Sequence, residues 1–207
     1  MLIAPQPQDR VEDGRSLSML VWRLASGLTV ASTASCGGGL GERRWIINAQ
    51  VGHDYRRRDQ QQHGAELAAA AGVGADGGVV MFTAVDVREV RSAEDGGVRV
   101  DATVGLTLPV WAAAPDTAVA AAPGTVNIVV LLPVRLTDAA LLNALCTATE
   151  AKTQALLEAD VPGTGTASDA VTVACPADGP AEPFGGPRST WGARLARAVH
   201  EAVRAGV

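Results

Sequence analysis

The sequence predicts an α+β fold, a mixed or mainly antiparallel sheet (or sheets) packed with about three helices. Two observations predict it. Strand-like segments come in consecutive runs with helices interspersed, roughly βββ-α-ββββ-β-α-β-α, not in the strict alternation of a doubly wound sheet. The 207 residues are 47% hydrophobic but only 3% aromatic, and 38 are alanine. A core of Ala, Val and Leu lets helices lie close to a sheet.

The elements follow from local pattern. Residues 1–15 are polar, proline-containing and aperiodic, and read as a mobile arm before a single domain over 16–207. Leu17–Leu24 and Leu28–Ser32 read as two strands joined by a hairpin at Ser26-Gly27. Arg44–Val51 is a third strand, after the flexible loop Cys36-Gly37-Gly38-Gly39. Asp59–Ala71 is helical, with Asp59 as N-cap and Gly72 as the stop. Gly78–Val87 reads as a buried strand. Val87–Arg91, Gly97–Thr103 and Gly105–Trp111 alternate as antiparallel strands, the first pair turned by Asp95-Gly96-Gly97. Ala112–Pro123 is a surface loop or spacer, and Val126–Leu132 has the strongest strand character in the chain. Thr137 N-caps a helix reaching about Ala159, Ala170–Cys175 is a strand, and Thr190–Ala205 is a closing helix.

Charge and composition exclude several classes. A net charge of −5 lacks the basic footprint of a general nucleic-acid binder. No apolar run approaches the length of a membrane-spanning helix, and the proline-containing N-terminus has no signal-peptide core, so the chain is expected in the cytoplasm. Cys36, Cys146 and Cys175 form neither a disulfide framework nor a CxxC pair, and His53, His63 and His200 lack metal-site spacing.

Candidate chemistry concentrates in a few segments. The chain has 16 arginines and one lysine, Lys152. Leu141, Leu145, Ala148, Lys152 and Leu156 share one apolar helical stripe, so the single lysine sits on the face expected to be buried. There it either meets an acid, titrates near neutrality or snorkels to the edge. Glu150 lies two residues away on another face of the helix. Gly163-Thr164-Gly165-Thr166 precedes a strand, which fits no phosphate loop. Its amides and hydroxyls either cradle an anion or oxyanion or simply turn the chain, with Asp169 beside them as a base or orienting acid. Ser32 and Ser35 offer hydroxyls at a strand end without a nucleophile elbow. Asn48 lies inside an apolar strand and Asn127 opens another; such buried amides must be satisfied, and they either orient a substrate or make structural hydrogen bonds. Asp86 ends a strand as a turn acceptor or a site acid. Arg56-Arg57-Arg58 is a solvated charge run or an anion landing site.

These segments together resemble the adenosylcobinamide amidohydrolases of corrinoid salvage. The resemblance rests on Ser32-Thr-Ala-Ser35 with its glycine run, Trp45-Ile-Ile-Asn48-Ala-Gln-Val51, Thr83-Ala-Val-Asp-Val87 and Gly124-Thr-Val-Asn127. It continues through Thr147-Ala-Thr-Glu-Ala-Lys152, Gly163-Thr-Gly-Thr-Ala-Ser-Asp-Ala170 and Gly185-Gly-Pro-Arg-Ser-Thr-Trp-Gly192. It covers about residues 16–205 and departs at the N-terminal arm, at Cys36 and over 112–123. The resemblance implies hydrolysis of the amide linking aminopropanol to the corrin ring, giving adenosylcobyric acid. The alternative is a corrinoid- or nucleotide-binding module without turnover. Glu150, Lys152 and Asp169 are then the expected catalytic residues. Ser32, Ser35, Asn48, Asp86, Asn127, Gly163, Thr164, Gly165 and Thr166 are the expected substrate contacts. The expected partner is a small-molecule corrinoid, with no nucleic acid and no membrane; an oligomer is compatible. No cofactor or protein metal is implied, because cobalt arrives within the substrate.

Overall fold

The computed structural model describes residues 3–115 and 124–207. Much of the expected loop over 112–123 therefore lies outside the described residues, as do Met1 and Leu2.

The sheet is built on one long strand. β1 (Gln6–Glu12) pairs antiparallel with the first half of β2 (Arg15–Ser32), which also pairs with β3 (Gly39–Gln50). Residues expected to be an irregular arm thus form a strand. The expected hairpin at Ser26-Gly27 is absent too: β2 runs through it, and the signal marks a register irregularity between Arg23 and Leu28. Such a break bends a strand and increases its twist. Beyond it, Leu28–Ser32 leaves β1 behind and pairs with β9 (Ala170–Pro176).

The other elements extend this frame. β4 (Gly78–Thr83) runs parallel to β3, and β7 (Val126–Leu131) parallel to β9. β5 (Arg91–Asp95) and β6 (Val98–Val104) form an antiparallel hairpin on β7, turned by Gly96 and Gly97 at φ 53° and 91°, a conformation glycine adopts without strain. The order is β4-β3-β2-β9-β7-β6-β5 with β1 on β2, mixed and mostly antiparallel. β8 (Arg135–Leu136) and β10 (Ala181–Glu182) make a separate two-residue parallel pairing. Strand β4 stops at Thr83, short of the expected Val87, and Val87–Glu89 is a single 3-10 turn. Gly105–Trp111 is not a strand; it contributes one isolated bridge, Val110 to Gly165.

Three helices complete the described α+β fold: α1 (Gln60–Ala71), α2 (Asp138–Glu158) and α3 (Thr190–Arg204). Thr137 caps α2 by accepting from the Ala140 amide at 3.2 Å, as its sequence position predicts. Asp59 stands at the N-cap of α1 but makes no side-chain cap bond. Arg57 takes its carboxylate, holding it down to about 2. Gly72 closes α1 in the left-handed conformation at φ 69°.

The sheet curls, and its two faces bury different cores. The outer face of β6, β7 and β9 packs on α2 and α3 through Val100, Ile128, Val173, Leu141 and Leu195. Ala140, Ala144, Ala148, Ala151 and Ala155 line the buried side of α2, so the alanine-rich composition becomes a close helix–sheet interface. Each fully buried leucine there, such as Leu156, contributes roughly 1.5–3 kcal/mol. On β3, Trp45, Ile47 and Ala49 face α1, while Ile46 faces inward with Trp22, Met81 and Val129. Two-sided burial explains why Trp45–Ala49 reads as an unbroken apolar run but for Asn48. No helix among the described residues is long and apolar enough to cross a membrane.

Candidate active site

Where β2 ends, the chain crosses the sheet instead of turning back directly. Thr33 donates its amide to the Val171 carbonyl (3.0 Å) and accepts at Oγ1 from the Val171 amide (3.0 Å). Three residues later the Cys36 carbonyl accepts from the Val80 amide (3.0 Å). This strap joins β9 to β4, the strands flanking the β2–β3 pair. Beside it opens a cleft of about 710 Å³. It is lined by Thr33–Ser35, the 51–56 loop after β3, Gln60 just beyond that loop, the end of β4 with Ala84, Thr125 and Ala167–Ala170.

Asp169 is the acid in that lining, and its environment is saturated. Oδ1 accepts from the Val126 amide (2.8 Å) and the Thr166 hydroxyl (2.6 Å). Oδ2 accepts from Lys152 Nζ (2.5 Å) and the Thr166 amide (3.1 Å). A carboxylate offers about four acceptor positions, and here all four are used. Lys152 is buried, so the apolar stripe is real and the lysine meets an acid in place of snorkelling. It stands behind Asp169 and does not line the cleft. The pair packs against Gly165 so tightly that a Cβ there would lie 2.3 Å from Asp169 Oδ2 and 2.5 Å from Lys152 Nζ. The pair therefore ties α2, the 163–169 loop and the start of β7 together.

The other expected residues divide. Ser35 is exposed in the cleft. Ser32 is buried behind it, bonded to Thr172 Oγ1 (2.8 Å) and accepting from the Ala34 amide (3.1 Å). Asn48 and Asn127 meet inside the curled sheet: Asn127 Nδ2 donates to Asn48 Oδ1 (2.8 Å), and Asn48 Nδ2 donates to Thr103 (3.0 Å). Asn127 Nδ2 also donates to the carbonyl of Phe82, a cleft residue, and its Oδ1 has no partner among the described residues. Gly163 and Thr164 donate their amides to Val161 and Val110. Together with the Thr166 amide on Asp169, most of the expected anion cradle is thus spent within the protein.

Two expected residues lie elsewhere. Glu150 is on the exposed face of α2, away from the cleft that Asp169 lines. Asp86 caps the 3-10 turn and pairs with Arg88 at 2.7 Å, which holds its carboxyl below the usual range. Arg57 of the basic run is taken by Asp59 and Glu66, and Arg56 reaches the cleft.

Several groups at the cleft were not anticipated. Thr125 and Ser168 share a hydroxyl–hydroxyl bond of 2.8 Å. Tyr55 and Phe82 line the cleft as stacked rings, 5.7 Å between centroids. His63, buried beneath, stacks on Phe82 at 5.3 Å and bonds Tyr55 Oη through Nδ1 at 2.9 Å. Its Nε2 lies 3.2 Å from Glu12 Oε1 on β1. Burial pushes the His63 imidazole below its ordinary value and the Tyr55 phenol above its own. Among the described residues no group of three or more His, Cys, Asp or Glu is arranged to hold a metal ion.

Comparison with known proteins sets this geometry in context. The family described as CbiZ, adenosylcobinamide amidohydrolase, matches residues 4–207, so the match includes β1. An adenosylcobinamide amidohydrolase of Halobacterium salinarum is 42% identical over 146 residues, 67% of this chain. That match spans 62% of the relative's own length, less than two thirds. A protein of the same name from Methanosarcina mazei is 29% identical over 186 residues, 86% of this chain and 89% of the relative. The solved structure of the PH0078 protein from Pyrococcus horikoshii OT3 superposes with a TM-score of 0.49 at 10% identity, covering 92% of this chain and 76% of that one. So loose a likeness carries no argument.

Proposed function

The chain belongs to the adenosylcobinamide amidohydrolase family, and from that premise we propose that it hydrolyses the amide joining aminopropanol to the corrin ring of adenosylcobinamide. The products are adenosylcobyric acid and free aminopropanol. The family match over residues 4–207 carries this reading, and the cleft supports it.

A volume of about 710 Å³ lies in the range of small-molecule sites. It takes the amide-bearing arm while the macrocycle rests at the mouth. Val51, Met81, Phe82 and Ala84 supply apolar contact, and the hydroxyls of Thr33, Ser35 and Ser168 supply hydrogen bonds to the amide. Cobalt belongs to the substrate. Amide hydrolysis also needs charge stabilisation at the carbonyl oxygen and a proton for the leaving amine. Lys152 is a positioning residue in this scheme: it holds Asp169, and Asp169 holds the Thr166 and Val126 amides that shape one wall. The three cysteines, none in a disulfide, fit a reducing cytoplasmic setting.

The test is mass-spectrometric detection of aminopropanol and adenosylcobyric acid after mixing the purified protein with adenosylcobinamide. Stoichiometric release of both is the expected result. Corrinoid binding seen by absorbance without either product would contradict the proposal.

A further inference from the structure

We propose that Tyr55 is the catalytic hydroxyl of this cleft, with Glu12 and His63 forming a proton relay behind it. The inference rests on the amide-hydrolysis reading and adds the group that moves the protons.

The geometry is a carboxylate–imidazole–phenol chain whose phenol belongs to a residue that lines the cleft. Glu12 is fixed by Arg10, whose Nε and Nη2 reach its Oε2 at 3.1 and 2.7 Å. Arg10 is itself anchored to the Gln50 carbonyl at 2.6 Å. A carboxylate only accepts, so the His63 proton facing Glu12 sits on Nε2. Nδ1 is then the acceptor, and Tyr55 donates its O–H to it at 2.9 Å. This leaves the lone pairs of the Tyr55 oxygen for a water or substrate in the cleft. Tyr55 and His63 both stack on Phe82, at 5.7 and 5.3 Å between centroids, and are tilted to each other at 5.4 Å, which locks the arrangement.

The same logic operates in acid–histidine–hydroxyl triads, where a buried carboxylate sets the tautomer of the imidazole and stabilises its cation. Here the attacking water gives a proton to Tyr55 Oη as the Tyr55 proton passes to His63 Nδ1. The water oxygen bonds to the amide carbon. As the carbon–nitrogen bond breaks, its electron pair stays on nitrogen, and the proton returns from His63 through Tyr55 to the leaving amine. One water is consumed, an acid and an amine form, and the protein is unchanged.

For this to work His63 must start neutral. It is 2% exposed, and burial lowers its pKa. The groups facing it are Glu12 and Arg10 from β1, Tyr55 and Arg57 from the loop after β3, and Asp59 and Glu66 from the start and body of α1. Of these Glu12 raises its pKa while Arg57 and Arg10 lower it. Activity is therefore lost on the acid side, as pH falls through the lowered His63 value.

Three readouts on the intact protein test the relay. Tyr55→Phe keeps the ring stack and removes only the hydroxyl, so kcat for aminopropanol release falls by about 10²–10⁴-fold with KM little changed. His63→Gln removes the acid limb of the pH–rate profile. Nitrogen-15 NMR of the wild type finds the His63 proton on Nε2. A wild type that releases aminopropanol while Tyr55→Phe turns over equally well overturns the relay and leaves the amidase reading standing. A wild type inactive on adenosylcobinamide overturns that reading and the relay's role with it. If Tyr55→Phe fails to fold, the His63 tautomer decides, and a proton on Nδ1 overturns the relay.

Discussion

Two charged chains reach the cleft from different parts of the fold. One runs from α2: Lys152 to Asp169, and from Asp169 to the amides of Thr166 and Val126 and the hydroxyl of Thr166. The other runs from β1: Arg10 to Glu12, His63 and Tyr55. In the first, every acceptor position of the carboxylate is consumed inside the protein. In the second, the proposed relay makes the Tyr55 hydroxyl a donor to His63 and leaves its lone pairs unspent, on a residue that lines the cleft. A saturated carboxylate holds a wall in place, whereas a chain that ends on an unsaturated hydroxyl can exchange a proton with a ligand. The contrast shows why burial and charge alone do not identify catalytic groups: Lys152 and His63 are both buried and both paired, and only the unspent capacity differs.

The sharpest way to break the first chain is Lys152→Ala. Removing one partner of a buried ion pair leaves Asp169 charged and uncompensated, and costs about 3–5 kcal/mol. Chemical denaturation should show that loss, and turnover at a temperature where the variant is still folded should suffer less than in Tyr55→Phe. A stability equal to wild type would mean that the pair does not hold the wall. Gly165→Ala perturbs the same pair without altering any charge. The added methyl has no room against Asp169 and Lys152, so a cost of about 1–3 kcal/mol is expected in the same denaturation series. Glu150→Ala is the smallest effect: stability within about 0.5 kcal/mol of wild type, with unchanged turnover, because the side chain faces solvent. A large loss of activity there would place the catalytic acid on the outer face of α2.

How far the fold was legible depends on how local its causes are. Thr137, Gly72 and the Asp95-Gly96-Gly97 turn act within a few residues of themselves, and both caps and the turn appear where the sequence puts them, although the strand entering that turn is Arg91–Asp95 and not the expected Val87–Arg91, which begins as a 3-10 turn. Helical spacing places Lys152 on the apolar stripe, but that it is buried on an acid and does not snorkel depends on Asp169, seventeen residues further along the chain. β1 was not legible, because a polar strand with Pro7 earns its order from the edge of β2 and not from its own pattern. The Ser26-Gly27 signal was read as a hairpin because a turn and a strand irregularity draw on the same residues; β2 running on beneath both β1 and β9 decides between them. At the cleft, Ser35 and Asp169 were visible as a hydroxyl and an acid beside flexible loops. Glu150 enters through the resemblance of the Thr147–Lys152 segment, while the helical spacing already places it on a different face from Lys152, where the structure has it exposed. The pairing of Tyr55 with His63 has no local signal, because their chain closes through Glu12, a residue of the strand that the sequence pattern alone does not mark.

The central claim is that the amide is cleaved in the cleft formed by the 33–35 strap, the 51–56 loop and residues 167–170. Ala167 lines that cleft and is exposed, so Ala167→Trp fills it with an indole ring without disturbing the core. The measurement is aminopropanol release from adenosylcobinamide by the wild type and by Ala167→Trp, each checked for folding by its melting curve. The account predicts release by the wild type and none by the folded variant. Equal release by both would contradict it and move the site away from this cleft.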